Sequence, residues 1–488
     1  METKEIKKNF KESFNKAIML SLISIACVYI CSAASGILAS NFSSNFGYNM
    51  GVASSILNGA VPYKDVYTNL GPLALMTYSL FNIVTKFNLL LFLEVICAIA
   101  FVLIINRIFT KFLSNYTAVV ATAVSAVLTY TCSAFVLGGT VEELLLPFFA
   151  YLLLCLVELS VENKHFSAFR VVMVSISLAL IVWTKFSLIV FPVLFLVAYI
   201  ALSIKNKQTK TMFMHLLVFA FVMVVVSMLM VWYLYIQKCL TDFAGCYFVG
   251  AVNFSATLKN LADNLFLVAF AIFGIVMAFI KHRQNLLEVS ILAIVYLVSI
   301  LFTAVENVTV LPLSVISMLG VCFAFEMLDN GNLLKRSKYI AKTVILIMTI
   351  VYCLIFSNAI WTKNSPKVNQ AQNQIVTAIA NYELENPTLL CYKTDSYGLY
   401  NNTGISMGTR VFANNGIVEN VEELRIEFDI ALLEQKTDFI LMEKDIYQAN
   451  KKTISNYYKQ VKDYTITSVD NFITTETDVV LLIKKTTN

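Results

Sequence analysis

The sequence predicts an α-helical polytopic membrane protein of about eleven spans, followed by a small extracytoplasmic α/β domain. Three observations indicate this class. Of the 488 residues, 58% are hydrophobic and only 14% are charged, whereas soluble domains carry about 25% charged residues. Apolar runs long enough for membrane helices, which need about 20 residues, recur through residues 1–362. Residues 363–488 instead hold 13 Lys and Arg and 16 Asp and Glu. We therefore place the domain boundary between 362 and 363.

Apolar runs of 17 or more residues define the predicted spans. The first run is too long for the apolar region of a signal peptide, so we expect it to be a retained helix. The ninth and tenth spans are separated only by a break near Glu306 and Pro312. The predicted spans are 17–39, 89–109, 116–136, 144–160, 171–187, 188–204, 212–235, 264–280, 287–304, 309–327 and 341–361.

The Lys and Arg counts predict the orientation of the chain in the membrane. With a cytoplasmic N-terminus, 17 Lys and Arg fall in cytoplasmic segments and 5 on the opposite side, the tail excluded. Positive charge favours the cytoplasmic side. We expect a multi-pass plasma-membrane protein with a cytoplasmic N-terminus and an extracytoplasmic C-terminal domain. Because the basic excess lies in short loops, membrane lipids are expected partners and nucleic acid is not.

A first outer loop, residues 40–88, is predicted between spans one and two. Asn58-Gly59 ends its first helix, an extended PYKD segment follows, and Pro72 starts a second short helix. The first helix carries one apolar stripe, which predicts that it lies in the outer membrane interface. The stripe consists of Phe46, Met50, Ala53 and Leu57.

The C-terminal domain shows both helical and strand patterns. Helical patterning covers Asn369–Tyr382 and Val421–Gln435. Short apolar runs with strand character cover Leu389–Tyr392, Phe439–Met442 and Val479–Ile483. Together they predict a small α/β domain.

Four motifs, taken in order, resemble the GT-C class of polyprenyl-phosphate-dependent glycosyltransferases, which includes protein O-mannosyltransferases and aminoarabinose transferases. GxxPYxDxYxxxGPL follows the first span. GGTVEELLLPF (Gly138–Phe148) resembles the acidic motif on the second outer loop of the class. WTKFS (Trp183–Ser187) resembles its Lys-containing turn after span five, and LTDFAGCYFVGAVNF (Leu240–Phe254) the segment after span seven. The resemblance covers nearly the whole chain and implies a GT-C-like fold.

The resemblance also implies an activity and its partners. A GT-C enzyme of this kind moves a sugar from a polyprenyl-phosphate donor to a cell-envelope glycan, lipid or protein at the outer face. It implies no cofactor, although a divalent cation stays open. The cysteines and histidines lack the spacing of a metal site, so we expect no metal centre built on them.

Two positions depart from the class and predict an altered active site. The catalytic Asp of the class corresponds to Asn45, and its phosphate-facing Lys corresponds to Leu70. An amide cannot act as a base at neutral pH, and a leucine cannot neutralise a phosphate. Other carboxylates would have to accept the proton of the acceptor.

The remaining candidates for catalysis are the altered position itself and the outer-side acids that match class motifs: Asn45, Asp65, Glu142 and Glu143. Candidates for binding the donor phosphate and sugar are the cationic and aromatic side chains of the same motifs: Lys185, Lys64, Tyr63 and Trp183. Each has a structural alternative. Asp65 could brace its loop, the two glutamates could favour a helix N-terminus, and Lys185 could reach lipid headgroups.

Two other functions compete with glycosyl transfer. The joint departure at Asn45 and Leu70 would suit a non-catalytic GT-C-like scaffold that binds a polyprenyl-linked glycan or a partner protein. A transporter is a third interpretation. The single large outer loop, the charged tail and the scarcity of charges within spans, where Glu94 is an exception, argue against it.

Overall fold

A computed structural model gives the fold of the chain. It describes residues 2–32, 44–84, 89–132, 141–162, 166–249, 264–281, 290–301 (without 292, 296, 299 and 300), 310–331, 334–356, 366–394, 397–400, 404–411, 422–470 and 473–485.

Helices dominate the chain up to residue 356. Ten of the eleven predicted spans overlap described helices along most of their length. The predicted ends at 33–39, 133–136 and 357–361, and most of the ninth span, 287–304, fall outside the described residues. The helices are α1 Glu2–Cys31, α2 Ser44–Leu57, α3 Pro72–Ile83, α4 Leu89–Phe109, α5 Asn115–Tyr130, α6 Leu146–Glu162, α7 Ala168–Thr184, α8 Val190–Lys205, α9 Thr209–Ile236, α10 Leu240–Ala244, α11 Leu265–Lys281, α12 Val310–Asn330 and α13 Lys335–Phe356.

Within the described part of the chain, seven helical stretches are long and apolar enough to cross a membrane. Three further apolar helices are shorter, at Pro72–Ile83, Ala168–Thr184 and Leu265–Ile280. Two short 3-10 helices, Val141–Leu145 and Phe186–Ile189, precede α6 and α8. The membrane class predicted from composition is therefore confirmed.

Charged side chains collect at one end of the helix bundle. Glu158 on α6 is fully buried and pairs with Arg107 (3.2 Å), Lys111 (3.3 Å) and Arg170. These cations lie in the segments predicted to be cytoplasmic. Because three cations surround a buried carboxylate, its desolvation is compensated. The cluster links the end of α4, the end of α6 and the start of α7, which lie together.

The first outer loop contains the two predicted helices, α2 and α3, but differs from prediction in two ways. Of the predicted apolar stripe of α2, Met50 and Ala53 are buried inside the protein, whereas Leu57 is 45% exposed and the Phe46 side chain lies outside what the structure describes. The PYKD segment is a tight turn and is not extended. Tyr63 has a φ of 66°, and Pro62 and Val66 form an isolated bridge around it.

The C-terminal region forms a five-stranded sheet in the order β2-β1-β3-β5-β4. Strand β1 runs parallel to β2 and β3, and β5 runs antiparallel to β3 and β4. The elements are α14 Pro366–Ala380, β1 Thr388–Tyr392, β2 Ser406–Met407, α15 Glu422–Leu433, β3 Phe439–Glu443, α16 Lys444–Ala449, α17 Lys451–Tyr457, β4 Tyr458–Asp470 and β5 Ile473–Lys484, with a 3-10 turn at Tyr397–Tyr400. The predicted helices and strands of the α/β domain are all present.

The outer loop and the C-terminal sheet pack against each other. A Cβ placed on Gly51 of α2 would lie 2.7 Å from Met407 Cε and 3.0 Å from Tyr400 Cβ. The buried side chains of α2, α3 and the sheet belong to one continuous apolar cluster. The loop therefore packs between the membrane helices and the sheet.

Candidate functional site

The turn that carries Lys64 and Asp65 is braced by the aspartate itself. Its carboxylate Oδ2 accepts the Val61 N–H at 2.8 Å, and the Asp65 N–H donates back to the Val61 carbonyl at 2.9 Å. Both charged side chains are exposed at the tip of the turn. The bracing role foreseen for Asp65 is thus present.

Tyr63 and Trp183 lie in an aromatic cluster beneath this turn. Tyr63 is fully buried, donates its hydroxyl to the Leu70 carbonyl at 2.8 Å and meets Phe243 edge-on at 5.2 Å. Burial raises the pKa of the Tyr63 phenol well above its usual value. Trp183 stacks on Phe243 at 6.1 Å and donates its indole N–H to Ser227 at 3.1 Å. Both rings therefore pack within the protein.

The segment that bears Lys185 lies against the start of α3. The Gly71 N–H donates to the Thr184 carbonyl at 2.8 Å, and a Cβ on Gly71 would lie only 2.0 Å from the Trp183 carbonyl oxygen. Leu70, the position where the class carries its lysine, immediately precedes this contact. Lys185 follows directly after Thr184 and is only 7% exposed. The backbone just after Leu70 thus lies against the backbone just before Lys185, which follows the end of α7.

One tyrosine hydroxyl joins the outer loop to the acidic motif. Tyr78 Oη on α3 accepts the Asn49 side-chain amide and the Val141 backbone N–H, each at 2.9 Å. Asn49 lies one helical turn after Asn45, on the same face of α2. Asn45 and Glu142 have described backbones, helical in both cases, while their side chains lie outside what the structure describes. These contacts bring the α2 helix, which carries Asn45, and the Val141–Leu145 helix, which carries Glu142, to the same region.

Glu143 is buried, not solvated, and contacts a second acid. It is 3% exposed, and its carboxyl lies against that of Glu94 on α4, which is 4% exposed. Ser32, just after α1, donates its hydroxyl to Glu94 Oε2 at 2.5 Å. Sequence reasoning did not include Glu94 among the site residues. The available signal was a lone carboxylate near the end of an apolar span.

The C-terminal domain contributes Arg410 to the wall of this region. The Tyr67 N–H donates to the Arg410 carbonyl at 2.9 Å, and the guanidinium lies 5.9 Å from the Tyr67 ring centroid. Arg410 also pairs with Glu427 on α15 at 3.0 Å. Burial raises the pKa of Tyr67 to about 12, with Arg410 opposing the shift. The sheet domain is therefore fastened to the loop by a neutral phenol and a paired cation.

A separate open groove of about 950 Å³ runs between α14 and β4 on the C-terminal domain. Its lining combines amides and a hydroxyl with two tyrosines and one lysine: Gln370, Asn373, Gln374, Thr377, Ala378, Asn381, Tyr382, Val461, Lys462 and Tyr464. None of these residues is among the site candidates predicted from the sequence. The strand that supplies Tyr464 was not predicted, so this juxtaposition was not foreseen.

The described ranges contain no ready set of metal ligands. There, no group of three or more His, Cys, Asp and Glu side chains is arranged to hold a metal ion. The carboxylates of the candidate site lie in a pair, Glu94 with Glu143, and in a separate turn with Asp65.

No protein-family model matches the sequence, and no curated protein matches it significantly. Solved structures do match the fold. ArnT from Cupriavidus metallidurans in the apo state aligns over 97% of this chain and 98% of its own, at 12% identity and a TM-score of 0.63. The same protein bound to undecaprenyl phosphate aligns over 95% and 97%, at 12% identity and a TM-score of 0.58.

A second enzyme supports the same assignment of fold. The oligosaccharyltransferase of Archaeoglobus fulgidus in the apo form aligns over 95% of this chain and 74% of its own, at 12% identity and a TM-score of 0.55. ArnT and this oligosaccharyltransferase are both GT-C glycosyltransferases. The chain therefore has the GT-C glycosyltransferase fold, a membrane helix bundle joined to a small C-terminal sheet domain.

Proposed function

We propose that this protein is a membrane glycosyltransferase with an altered active site, which moves a sugar from a polyprenyl-phosphate donor to a cell-envelope acceptor at the outer face. The observation that carries the proposal is the contact between Gly71 and Thr184, which brings Lys185 beside the Leu70 position. It is supported by the fold shared with ArnT, a protein solved with undecaprenyl phosphate bound.

The proposed chemistry is a displacement at the anomeric carbon of the donor sugar. The acceptor oxygen forms a bond to that carbon while the bond to the phosphate oxygen breaks, and polyprenyl phosphate leaves. Lys185 would neutralise the charge that develops on the phosphate. A carboxylate would take the proton of the acceptor.

For the proton acceptor we favour Glu143 over Asp65. Glu143 is buried two residues after Val141, whose N–H reaches the Asn49–Tyr78 contact on the face of α2 that also carries Asn45. Asp65 is exposed and already accepts a backbone N–H. Glu142 remains a candidate of the same motif. Tyr63 and Trp183 are left out of the proposed substrate contacts because their rings are buried against Phe243.

The proposed orientation puts the N-terminus in the cytoplasm and the C-terminal domain outside. It is supported by the excess of Lys and Arg in alternate loops. Arg107, Lys111 and Arg170 gather around Glu158 at one end of the bundle, while Glu94 and Glu143 meet near the other ends of the same helices. Labelling of a single introduced tail cysteine in intact cells tests this; labelling only after permeabilisation would overturn it.

For the acceptor we propose a neutral glycan that docks in the groove between α14 and β4. Amides and hydroxyls match the hydrogen-bonding groups of sugars, and the exposed Tyr382 ring offers a face on which a sugar ring could lie. A volume of about 950 Å³ falls within the size range of small-ligand sites. A cell-envelope lipid or protein would need more apolar or more charged surface than this groove provides.

The proposal is tested with purified protein and a radiolabelled polyprenyl-phosphate sugar. We expect Lys185→Ala to weaken binding of undecaprenyl phosphate about tenfold or more, while the matched outer lysine variant Lys238→Ala binds normally. Glu143→Gln should lower transfer by about 10²–10⁴. Asp65→Asn, which keeps an oxygen to accept the Val61 N–H, should stay within about threefold of wild type. Normal donor binding by Lys185→Ala would contradict the proposed role of this lysine.

The scaffold interpretation is the second candidate, and Asn45 with Leu70 is the observation that favours it. The same assay separates the two. If wild type, Asn45→Asp and Asn45→Asp with Leu70→Lys all bind polyprenyl phosphate but transfer no sugar, the protein is a scaffold and the catalytic proposal is wrong.

A further inference from the structure

Two cysteines from opposite ends of the membrane domain meet where α1 and α13 end. The Sγ atoms of Cys31 and Cys353 lie 3.7 Å apart, although the two residues are 322 positions apart in sequence. Cys31 is the last residue of α1, and Cys353 lies in the last turn of α13. Both are buried, at 5% and 3% exposed. Neither residue belongs to the proposed transferase site, so the contact between them needs its own explanation.

The separation of the two sulfurs suits bond formation. The sulfurs of a disulfide are about 2.05 Å apart, so the pair would have to close by about 1.7 Å. Two side chains share this movement, and a modest rotation of each about χ1 supplies it while the helix backbones stay in place. The two thiols already contact each other through their sulfur atoms. The packing of α1 and α13 therefore holds them in position for a cross-link.

The location of the pair also favours oxidation. In the proposed orientation α1 runs outward from a cytoplasmic N-terminus, and α13 runs outward to the C-terminal domain. Their last turns then lie at the outer face of the membrane. Disulfides form and persist in extracytoplasmic compartments, whereas cytoplasmic thiols are kept reduced. The inference below rests on this orientation and not on the proposed sugar transfer.

We infer that Cys31 and Cys353 form a disulfide bond at the outer face of the membrane. The oxidant is a thiol–disulfide oxidoreductase in its disulfide form. One cysteine thiolate attacks that disulfide to give a mixed disulfide, and the other cysteine then attacks the mixed disulfide and releases the oxidant as a dithiol. Two electrons and two protons pass from the cysteine pair to the oxidant. Because the packed pair is buried, the exchange takes place while the helices assemble.

The bond would join the two helices that lead into the outer segments of the protein. Helix α1 continues to the outer loop, and α13 continues to the C-terminal domain, which packs on that loop through one apolar cluster. Helix α13 gains little from packing, since only 17% of its apolar stretch Arg336–Ile355 is buried. A cross-link that closes a long loop removes much freedom from the unfolded chain. The disulfide therefore holds the membrane ends of both segments together.

A neighbouring cysteine supplies a matched control. Cys27 lies one turn before Cys31 on α1, is 4% exposed and interacts electrostatically with Cys353. Cys132, just beyond α5, and Cys353 both act on Tyr352. Cys27 is thus the competitor on the same helix, with the same chemistry and similar burial. The sulfur contact at 3.7 Å favours Cys31 as the partner of Cys353.

The first readout is mass spectrometry of the full-length protein, produced in bacterial cells that have an extracytoplasmic thiol oxidase. Thiols are blocked with N-ethylmaleimide under denaturing conditions, and the protein is then reduced and labelled with isotopically heavy N-ethylmaleimide. We expect the heavy label on Cys31 and Cys353. Cys31→Ser should remove it from Cys353, while Cys27→Ser should leave it on both. Light label on Cys31 and Cys353 of the wild type, or heavy label on Cys27, would overturn the inference.

The second readout is thermal unfolding of the detergent-purified protein with and without reductant. Reductant should lower the Tm of the wild type by about 4–8 °C. Cys31→Ser should unfold at that lower temperature and should not respond to reductant, whereas Cys27→Ser should keep the full response. A wild-type Tm that reductant leaves unchanged would overturn the tethering role of the bond. Neither readout measures sugar transfer, so an inactive wild type would reject the proposed function alone.

Discussion

Gly71 offers a sharp test of how the site is assembled, because replacing it by alanine adds one methyl group at the contact that brings Lys185 beside Leu70. The backbone of Gly71 has φ −72° and ψ 159°, which any residue can adopt. Gly71→Ala therefore introduces no backbone strain of its own. Any effect must come from the space that the new Cβ requires.

That space is absent. The Cβ would lie 2.0 Å from the Trp183 carbonyl oxygen and 2.8 Å from that of Thr184. Both are backbone atoms, which cannot rotate away, so α3 and the end of α7 must separate by about 1 Å or more. Overpacking of this kind costs about 1–3 kcal/mol, and loss of the bond from Gly71 to Thr184 adds about 1 kcal/mol. We expect a total loss of about 2–4 kcal/mol.

The assay is thermal unfolding of detergent-purified protein, combined with binding of undecaprenyl phosphate. At about 2 °C per kcal/mol, Gly71→Ala should lower Tm by about 4–8 °C. Binding should weaken as well, because Lys185 moves with the displaced end of α7. We expect this variant to lose both properties together.

Two other glycines supply controls. A Cβ on Gly245 meets nothing within 4 Å, so Gly245→Ala should leave Tm unchanged or raise it slightly. Gly320 on α12 has the Phe270 carbonyl oxygen 2.0 Å from its added Cβ, so Gly320→Ala should lower Tm without a selective loss of donor binding. If Gly71→Ala unfolds at the temperature of Gly245→Ala and binds donor normally, the reasoning is refuted.

Three further predictions concern other parts of the molecule. Asn45→Asp, alone or with Leu70→Lys, should raise sugar transfer above wild type because it restores a carboxylate and a cation to class positions; a transfer assay measures this. Glu158→Gln should lower stability by about 3–5 kcal/mol, since it leaves three cations around a buried site without their anion; thermal unfolding measures this. Tyr382→Ala should weaken binding of a neutral cell-envelope oligosaccharide about fivefold or more by removing one aromatic contact; calorimetric titration measures this.

Each of these has a matched control. For Asn45→Asp the control is Asn82→Asp on α3, and equal activity of the two variants would contradict the prediction. For Glu158→Gln it is Glu162→Gln, a partly exposed acid that pairs with Lys111; similar losses from both would mean that burial of Glu158 does not matter. For Tyr382→Ala it is Tyr235→Ala, an exposed tyrosine outside the groove; retained binding in Tyr382→Ala would reject this docking site.

The membrane helices were predictable because each contains a continuous apolar run of about the length that crosses a bilayer. The strands of the tail were predictable where both faces are buried, as in Phe439–Glu443. Strand β4 was missed because one face is exposed, so Lys459, Lys462 and Asp463 interrupt the apolar pattern. The 61–66 turn was missed because the hydrogen bond from the Val61 N–H to the Asp65 carboxylate closes it, and no local sequence pattern predicts that bond.

The sequence predicted which residues belong to the candidate site better than it predicted the contacts that they make. The motifs indicated Glu143 and Lys185. The backbone before Lys185 contacts Gly71, which follows Leu70, and Val141 near Glu143 shares the Tyr78 hydroxyl with Asn49. The partner of Glu143 was not indicated, because the pairing of Glu94 with Glu143 joins residues 49 positions apart on different helices. Burial of Tyr63 and Trp183 was also not indicated, since it depends on Phe243 arriving from beyond α9. Contacts of this kind are fixed by tertiary packing and leave no mark on local sequence.

The shared core of the outer loop and the C-terminal sheet sets a rule for building chimaeras from this protein. The described parts of 44–83 and 366–485 pack against one another, through contacts such as Gly51 with Met407 and Tyr67 with Arg410. If the C-terminal domain were transplanted alone, its apolar face would contact an outer loop of the recipient that does not fit it. The two segments, which are nearly 300 residues apart in sequence, should be exchanged together as one cassette on a recipient helix bundle.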